Sequence, residues 1–169
     1  KRLIVGSFRC VYETVYESML PSKGRVKVFL QTYFGDIRDC YEQVAGLDID
    51  AIGLDFVEGK QSLSLVKEYG FPKDKLLLAG VVNGKNIWRN HYSRTLALLA
   101  DLKKTGARIG IGTSCSLLHV PYTFAPETKL PEYALKHFSF AEEKLQELRD
   151  LSFLFSLENA EPEKIYQVN

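Results

Sequence analysis

Two hydrophobic periods take turns along this chain. Over residues 7–20, Phe8, Val11, Val15 and Met19 recur at three- and four-residue spacing, with Ser7 at the N-cap and Glu13 and Glu17 facing out. That spacing predicts an amphipathic helix, stopped by Pro21, Ser22 and Gly24. Residues 25–33 (RVKVFLQTY) are β-branched and aromatic and predict a strand. Gly35 and Asp36 turn the chain, with Asp36 as cap of a helix whose apolar face is Ile37, Cys40, Tyr41 and Val44 and whose end is Gly46.

The unit then repeats. AIGLDF (51–56) predicts a strand, Glu58 and Gly59 a turn, and Leu63, Val66 and Tyr69 the inward face of a helix ended by Gly70 and Pro72. KLLLAGVV (75–82) is a strand with almost no polar interruption. Asn83-Gly84 turns, a dipeptide that supplies positive φ at low cost. A helix from about Asn90 to Lys104 buries Tyr92, Leu96, Leu99 and Leu102 and stops at Gly106. RIGIGT (108–113) is the fourth strand. A loop with Pro121, Pro126 and Pro131 leads to a last helix over 132–157, with core face Phe138, Ala141, Leu145, Leu148 and Phe155. Residues 158–169 form a polar tail.

Strands therefore begin near 26, 51, 75 and 108, each followed by one helix. Parallel strands need such crossovers, and apolar strands imply helices covering the sheet. The fold class is α/β: four parallel (β/α) repeats with helices before and after. That is about half of a TIM-type barrel, which needs eight strands. The chain opens in a helix without an initiating Met, so an earlier segment is expected to be missing.

In such folds ligands sit beyond the carboxyl ends of the strands. Here those ends offer Gln31, Tyr33 and Asp36; Asp55 and Glu58; Asn83, Lys85 and Arg89; and Thr113, Ser114, Cys115 and His119. Cys115 and His119 could pair as nucleophile and base, or serve as a buried thiol and a backbone-bonded imidazole. Asp55 and Cys115 could be two zinc ligands, or Asp55 a hydrogen-bonded strand-end carboxylate. Gly59-Lys60 and Gly84-Lys85 do not follow the GxxxxGK[ST] phosphate-loop pattern. Trp88, the single tryptophan, and Arg89 could hold an anion. Alternatively, Trp88 packs under the rim while Arg89 bonds Asp55 or Glu58.

Composition narrows the classes. Lys and Arg total 22 against 21 Asp and Glu, with no basic stripe, so no nucleic-acid partner is expected. No apolar run approaches the ~20 residues of a membrane span, and the first residues lack a signal-peptide core. Three widely spaced cysteines, Cys10, Cys40 and Cys115, fit reduced thiols in a cytoplasmic protein. Neither CxxC nor HExxH occurs.

TYFGD (Thr32–Asp36), GLDFVEGK (Gly53–Lys60), AGVVNGKNIWR (Ala79–Arg89), SCSLLHVP (Ser114–Pro121) and ETKL (Glu127–Leu130) together resemble the cobalamin-independent methionine synthase family, over roughly 25–157. The resemblance is to the second part of its amino-terminal barrel. It implies a methyltransferase that makes methionine from homocysteine and 5-methyltetrahydrofolate polyglutamate. The family has two barrels related by duplication. Its catalytic barrel binds zinc through His, Cys, Glu and Cys, and its amino-terminal barrel helps hold the folate tail through residues near its own start. By that duplication, Leu30 and Thr32 stand where His and Cys ligands would be, Asp55 matches the Glu, and Cys115 in Cys115-Ser116-Leu117 matches the second Cys. Two ligand-capable positions are one short of the usual catalytic three, so no zinc, no other cofactor and no catalytic residue is expected in this segment. Asp55 and Cys115 are remnant positions, and Asn83, Arg89 and Ser114 are the binding candidates. The implied role is scaffold and interface. The implied partners are the carboxy-terminal catalytic barrel and the first half of the amino-terminal barrel.

The alternative is a free-standing half-barrel that binds a pterin or small anion through Asp55, Asn83, Arg89 and Ser114. The two edge strands carry only scattered charges, Arg25, Lys27 and Arg108, so the isolated piece is expected to self-associate.

Overall fold

A computed structural model describes residues 15–158, Glu17 excepted. The predicted helix over 7–20 and the tail from 159 lie mostly outside these residues. Of that helix's apolar face, Val15 and Met19 are exposed, and it is Leu20, in the 3-10 turn Leu20–Ser22, that is buried.

The core is a four-stranded parallel sheet in the order β1 (Phe29–Gln31), β2 (Ala51–Asp55), β3 (Leu76–Val82), β4 (Arg108–Thr113). Between them run α1 (Tyr41–Gly46), α2 (Ser62–Tyr69) and α3 (Tyr92–Lys103). After β4 come α4 (Glu132–Leu135) and α5 (Ala141–Glu158). The α/β half-barrel architecture is present: sequential parallel strands, a helix after each, and an unclosed sheet.

Alternation along the strands sorts the two faces. Leu30, Ile52, Leu54, Leu77 and Ala79 join Leu65, Val66, Leu96, Leu99, Leu102, Leu151 and Leu154 in one apolar cluster between sheet and helices. On the opposite face large and small residues alternate. A Cβ on Gly53 would meet the Gln31 side chain at 2.1 Å, and one on Gly112 would meet Leu78 at 3.1 Å. Gln31 and Leu78, from β1 and β3, thus lie over glycines of β2 and β4. Filling each interior layer from alternate strands is how a closed barrel packs its centre. Among the described residues, β1 and β4 each have a single neighbour.

Register is continuous except at one point. Gly80 pairs with Gly112 and Val82 with Thr113, which leaves Val81 as an extra residue in β3. Val81 and Val82 are both buried. This is a β-bulge.

Several local expectations are corrected. The first strand covers only 29–31: just before it, Val28 N donates to the Asp50 carboxylate at 2.9 Å instead of to a strand carbonyl, and Lys27 pairs with the same carboxylate at 2.6 Å. Asp36 does not cap α1, whose N-cap is Cys40; its carboxylate takes Arg38 at 2.6 Å and the Gln61 N–H at 3.3 Å, before α2. Tyr69 is half exposed, and Leu65 takes the inward place. The last helix is two helices. Between them Trp88 and Phe138 form an antiparallel bridge, with Arg89 N bonded to His137 O and Ser139 N to Ile87 O. Its inward face is Phe140, Lys144, Glu147, Leu151 and Leu154, one step from the expected phase, and Leu145 is exposed. Gly84 is not in the positive-φ region. Glycine is needed there because a Cβ would lie 2.4 Å from the Cys115 carbonyl oxygen.

Candidate functional site

The carboxyl ends of the four strands meet around Asp55. Its position as last residue of β2 leaves the side chain 1% exposed, and its carboxylate accepts three backbone N–H bonds. Val57 and Glu58 donate to Oδ1 at 2.8 and 2.9 Å, and Gly35 donates to Oδ2 at 3.2 Å. One carboxylate thereby fixes the loops after β1 and β2. Phe34, next to the Gly35 anchor, is the non-glycine residue held at positive φ (63°) among the described residues. Its ring is half exposed and lies edge-on to His119, with centroids 5.5 Å apart. The Lys85 ammonium sits 5.7 Å above it and pairs with both oxygens of Glu58 at 3.0 Å.

The loops after β3 and β4 are fastened in the same way. Asn83 Oδ1 accepts from Lys85 N at 2.8 Å and Asn86 N at 3.2 Å, a local turn. Ser114 is 2% exposed; its N–H bonds Val82 O at 2.7 Å and its Oγ accepts from Gly84 N at 3.3 Å. Thr32 Oγ1 donates to Gly53 O at 2.8 Å, and Leu30 is buried in the core.

Cys115 is 1% exposed, with its thiol 3.7 Å from Ser116 O. Burial pushes the thiol up. A hydrogen bond from Ser114 opposes this, the Asp55 and Glu58 charges add to it, and Lys85 opposes it. A thiol held protonated is a poor nucleophile at neutral pH. His119 contacts Phe34, and its side chain is exposed. Among the described residues, no group of three or more His, Cys, Asp and Glu side chains gathers as a metal site.

Arg89 is exposed and borders a groove of about 730 Å³ with His91, Lys136, Glu143, Gln146 and Asp150. Glu58 pairs with Lys85 and Asp55 with backbone, so neither expected Arg89 pairing forms. Trp88 is 57% exposed, its ring 5.5 Å from that of Phe138. Asp55, Asn83, Ser114 and Cys115, expected together at the strand ends, stand at one end of the sheet, and Arg89 lies to one side.

Two residues were missed. Lys144 is fully buried and donates to Trp88 O at 3.0 Å; Glu147 is 3% exposed and accepts from Asn90 N at 2.8 Å. Their spacing with Phe140, Leu151 and Leu154 was the available signal, but charged side chains at that period read as a solvated face.

The comparisons agree with one another. A sequence model described as the N-terminal domain of cobalamin-independent synthase matches residues 7–107. A protein of Lactococcus lactis subsp. cremoris (strain SK11) is 57% identical over 145 residues, 86% of this chain and 19% of the relative. One from Campylobacter jejuni (strain RM1221) is 50% identical over 159 residues, 94% of this chain and 21% of the relative. Both are named 5-methyltetrahydropteroyltriglutamate–homocysteine methyltransferase. The chain spans about a fifth of the length of these curated relatives. No helix among the described residues is long and apolar enough to cross a membrane. With a family model matched over most of its length, this chain belongs to the cobalamin-independent methionine synthase family, in the region of the N-terminal domain.

Proposed function

We propose that this chain serves, as scaffold and interface, a methyltransferase that makes methionine from homocysteine and 5-methyltetrahydropteroyltriglutamate. The observation that carries the reading is the 57% identity to a relative so named, over 86% of this chain. The methyl-transfer chemistry, with the zinc and folate it requires, belongs to a catalytic barrel outside this segment.

The strand-end residues support that division of labour. Zinc would need three protein ligands in a catalytic site. Of the four positions that correspond by duplication, Leu30 sits in the apolar core and Thr32 bonds Gly53 O. Asp55 has both oxygens engaged by backbone N–H groups, and Cys115 has a thiol raised by burial. This donor set does not fit the metal. What it fits is holding four loops still. The Phe34, Lys85, Glu58 and His119 surface on those loops, with the glycine-lined sheet face, is what the chain offers to the rest of a larger cytoplasmic enzyme.

A methyl-transfer assay of this chain, with and without a separately made catalytic barrel and zinc, tests the reading. No methionine is expected from the chain alone. Activity from the chain alone, or stoichiometric zinc lost on Cys115→Ala, would overturn it.

A further inference from the structure

Lys144 and Glu147 occupy two turns of α5 in line with Phe140, Leu151 and Leu154, on its most buried face. Charges in such places are stabilising only when something specific needs them, because burying an ion costs several kcal/mol and well-packed apolar residues do as well or better. Burial pushes the Lys144 amine down, with the Glu147 charge and then Cys115 opposing.

What needs them is a loop. After β3 the chain from Asn86 to His91 leaves the sheet before α3 begins, and its backbone groups have no ladder to join. They are met one after another by α5 and the segment just before it. Ile87 O accepts from Ser139 N at 2.7 Å, Trp88 O from Lys144 Nζ at 3.0 Å, and Arg89 N donates to His137 O at 2.9 Å. Asn90 N donates to Glu147 Oε1 at 2.8 Å. The Asn90 side chain completes the tie, donating to Val81 O at 2.9 Å and accepting from Thr95 Oγ1 at 2.7 Å.

We infer that Lys144 and Glu147 are positioning residues: they pin the Trp88–Asn90 backbone to α5 and so set where Trp88 and Arg89 stand at the strand ends. It extends the contact surface proposed above to the exposed Trp88 and Arg89, which lie to one side of it.

Trp88 is the sole tryptophan and reports on its own loop. Acrylamide quenching and thermal melting of the full chain are measured together. Lys144→Met and Glu147→Leu are expected to raise the quenching constant, by up to about 1.8-fold, the ratio of full exposure to the native 57%. Glu147→Gln keeps an acceptor for Asn90 N and should quench as wild type. Leu65→Ala, on the buried face of α2, should lower the melting temperature and leave Trp88 quenching unchanged. Should Lys144→Met fail to fold, Glu147→Leu decides. Melting lowered with native quenching in the position-147 and position-144 variants would overturn the inference, as would failure of both to fold, since the residues would then be holding the core. Quenching does not depend on methyl transfer, so failure of the functional reading would leave this result standing.

Discussion

Asparagine at position 55 would keep the shape of the side chain and remove one acceptor. If its carbonyl stays with the Val57 and Glu58 N–H groups, its amide nitrogen faces the Gly35 N–H, donor against donor, at a site where the native contact is 3.2 Å. An unsatisfied buried donor costs about 1–3 kcal/mol, and hydrogen bonds to a charged acceptor exceed those to a neutral one by about 1 kcal/mol. Asp55→Asn should therefore lose about 2–4 kcal/mol, and Asp55→Ala, which strips all three bonds, about 4–6 kcal/mol. Domains of this size hold only about 5–15 kcal/mol, so the alanine variant approaches global unfolding. Urea denaturation measures this, with the slope unchanged and the midpoint of the asparagine variant lowered by about 1–2 M. The Gly35 N–H also anchors Phe34 in its positive-φ conformation, so the Phe34 ring should lose its fixed contact with His119, read as a change in the ring-current shift of the His119 protons. A loss below about 0.5 kcal/mol, the range of an ordinary surface substitution, would refute the hub assigned to Asp55.

Gly84→Ala forces a Cβ against a backbone oxygen that cannot swing aside, and should cost about 1–3 kcal/mol in thermal melting; Gly46→Ala, with open space around its Cβ, is the control, and equal melting of the two variants would refute the steric argument. Asp101 is held down to about 2 by hydrogen bonds from Lys104 and then Lys67. Its folded value lies below the ordinary 3.8, so its contribution is present above about 4 and fades as pH falls toward 2. NMR titration of its carboxyl should show this, Lys104→Met should raise the midpoint, and a wild-type midpoint near 3.8 would contradict it. Iodoacetamide at pH 7.5 should label the Cys115 peptide far more slowly in folded than in urea-unfolded protein, and labelling as fast as a free thiol would contradict the buried, protonated assignment.

Much of the sheet could be read from the chain because short apolar runs such as LLLAGVV, bounded by turn residues, suit strands of a parallel sheet. Asp55, Asn83, Ser114 and Cys115 could be gathered for the same reason: strand ends in this architecture share one face. The departures came from distant partners. Within 132–157 Ser139-Phe140-Ala141-Glu142 is an S-x-x-E helix-start pattern, and the break falls there, where residues 137–139 pair with residues 87–89. The phase of α5 lies one residue from the expected one because hydrophobicity favours burying Leu145 over Lys144, and the loop that Lys144 serves makes the reverse true. Sequence order points Asp36 to the nearest helix, while its oxygens answer to Arg38 and the backbone ahead of α2.

The bulge in β3 acts as a steering joint. Strand side chains change faces at every residue, so an added residue would normally turn everything downstream inside out. Here the added residue falls where Val81 and its successor are both taken into the apolar interior, and the half-turn is absorbed before the chain emerges at Asn83. The direction in which the Asn83–Asn90 loop leaves the sheet is thus set independently of the pairing that runs from Leu76 to Gly80. Lengthening or shortening the chain at Val81 would set the emerging Asn83 end of that loop against its far end, where Trp88, Arg89 and Asn90 are tied to α5 and the segment before it.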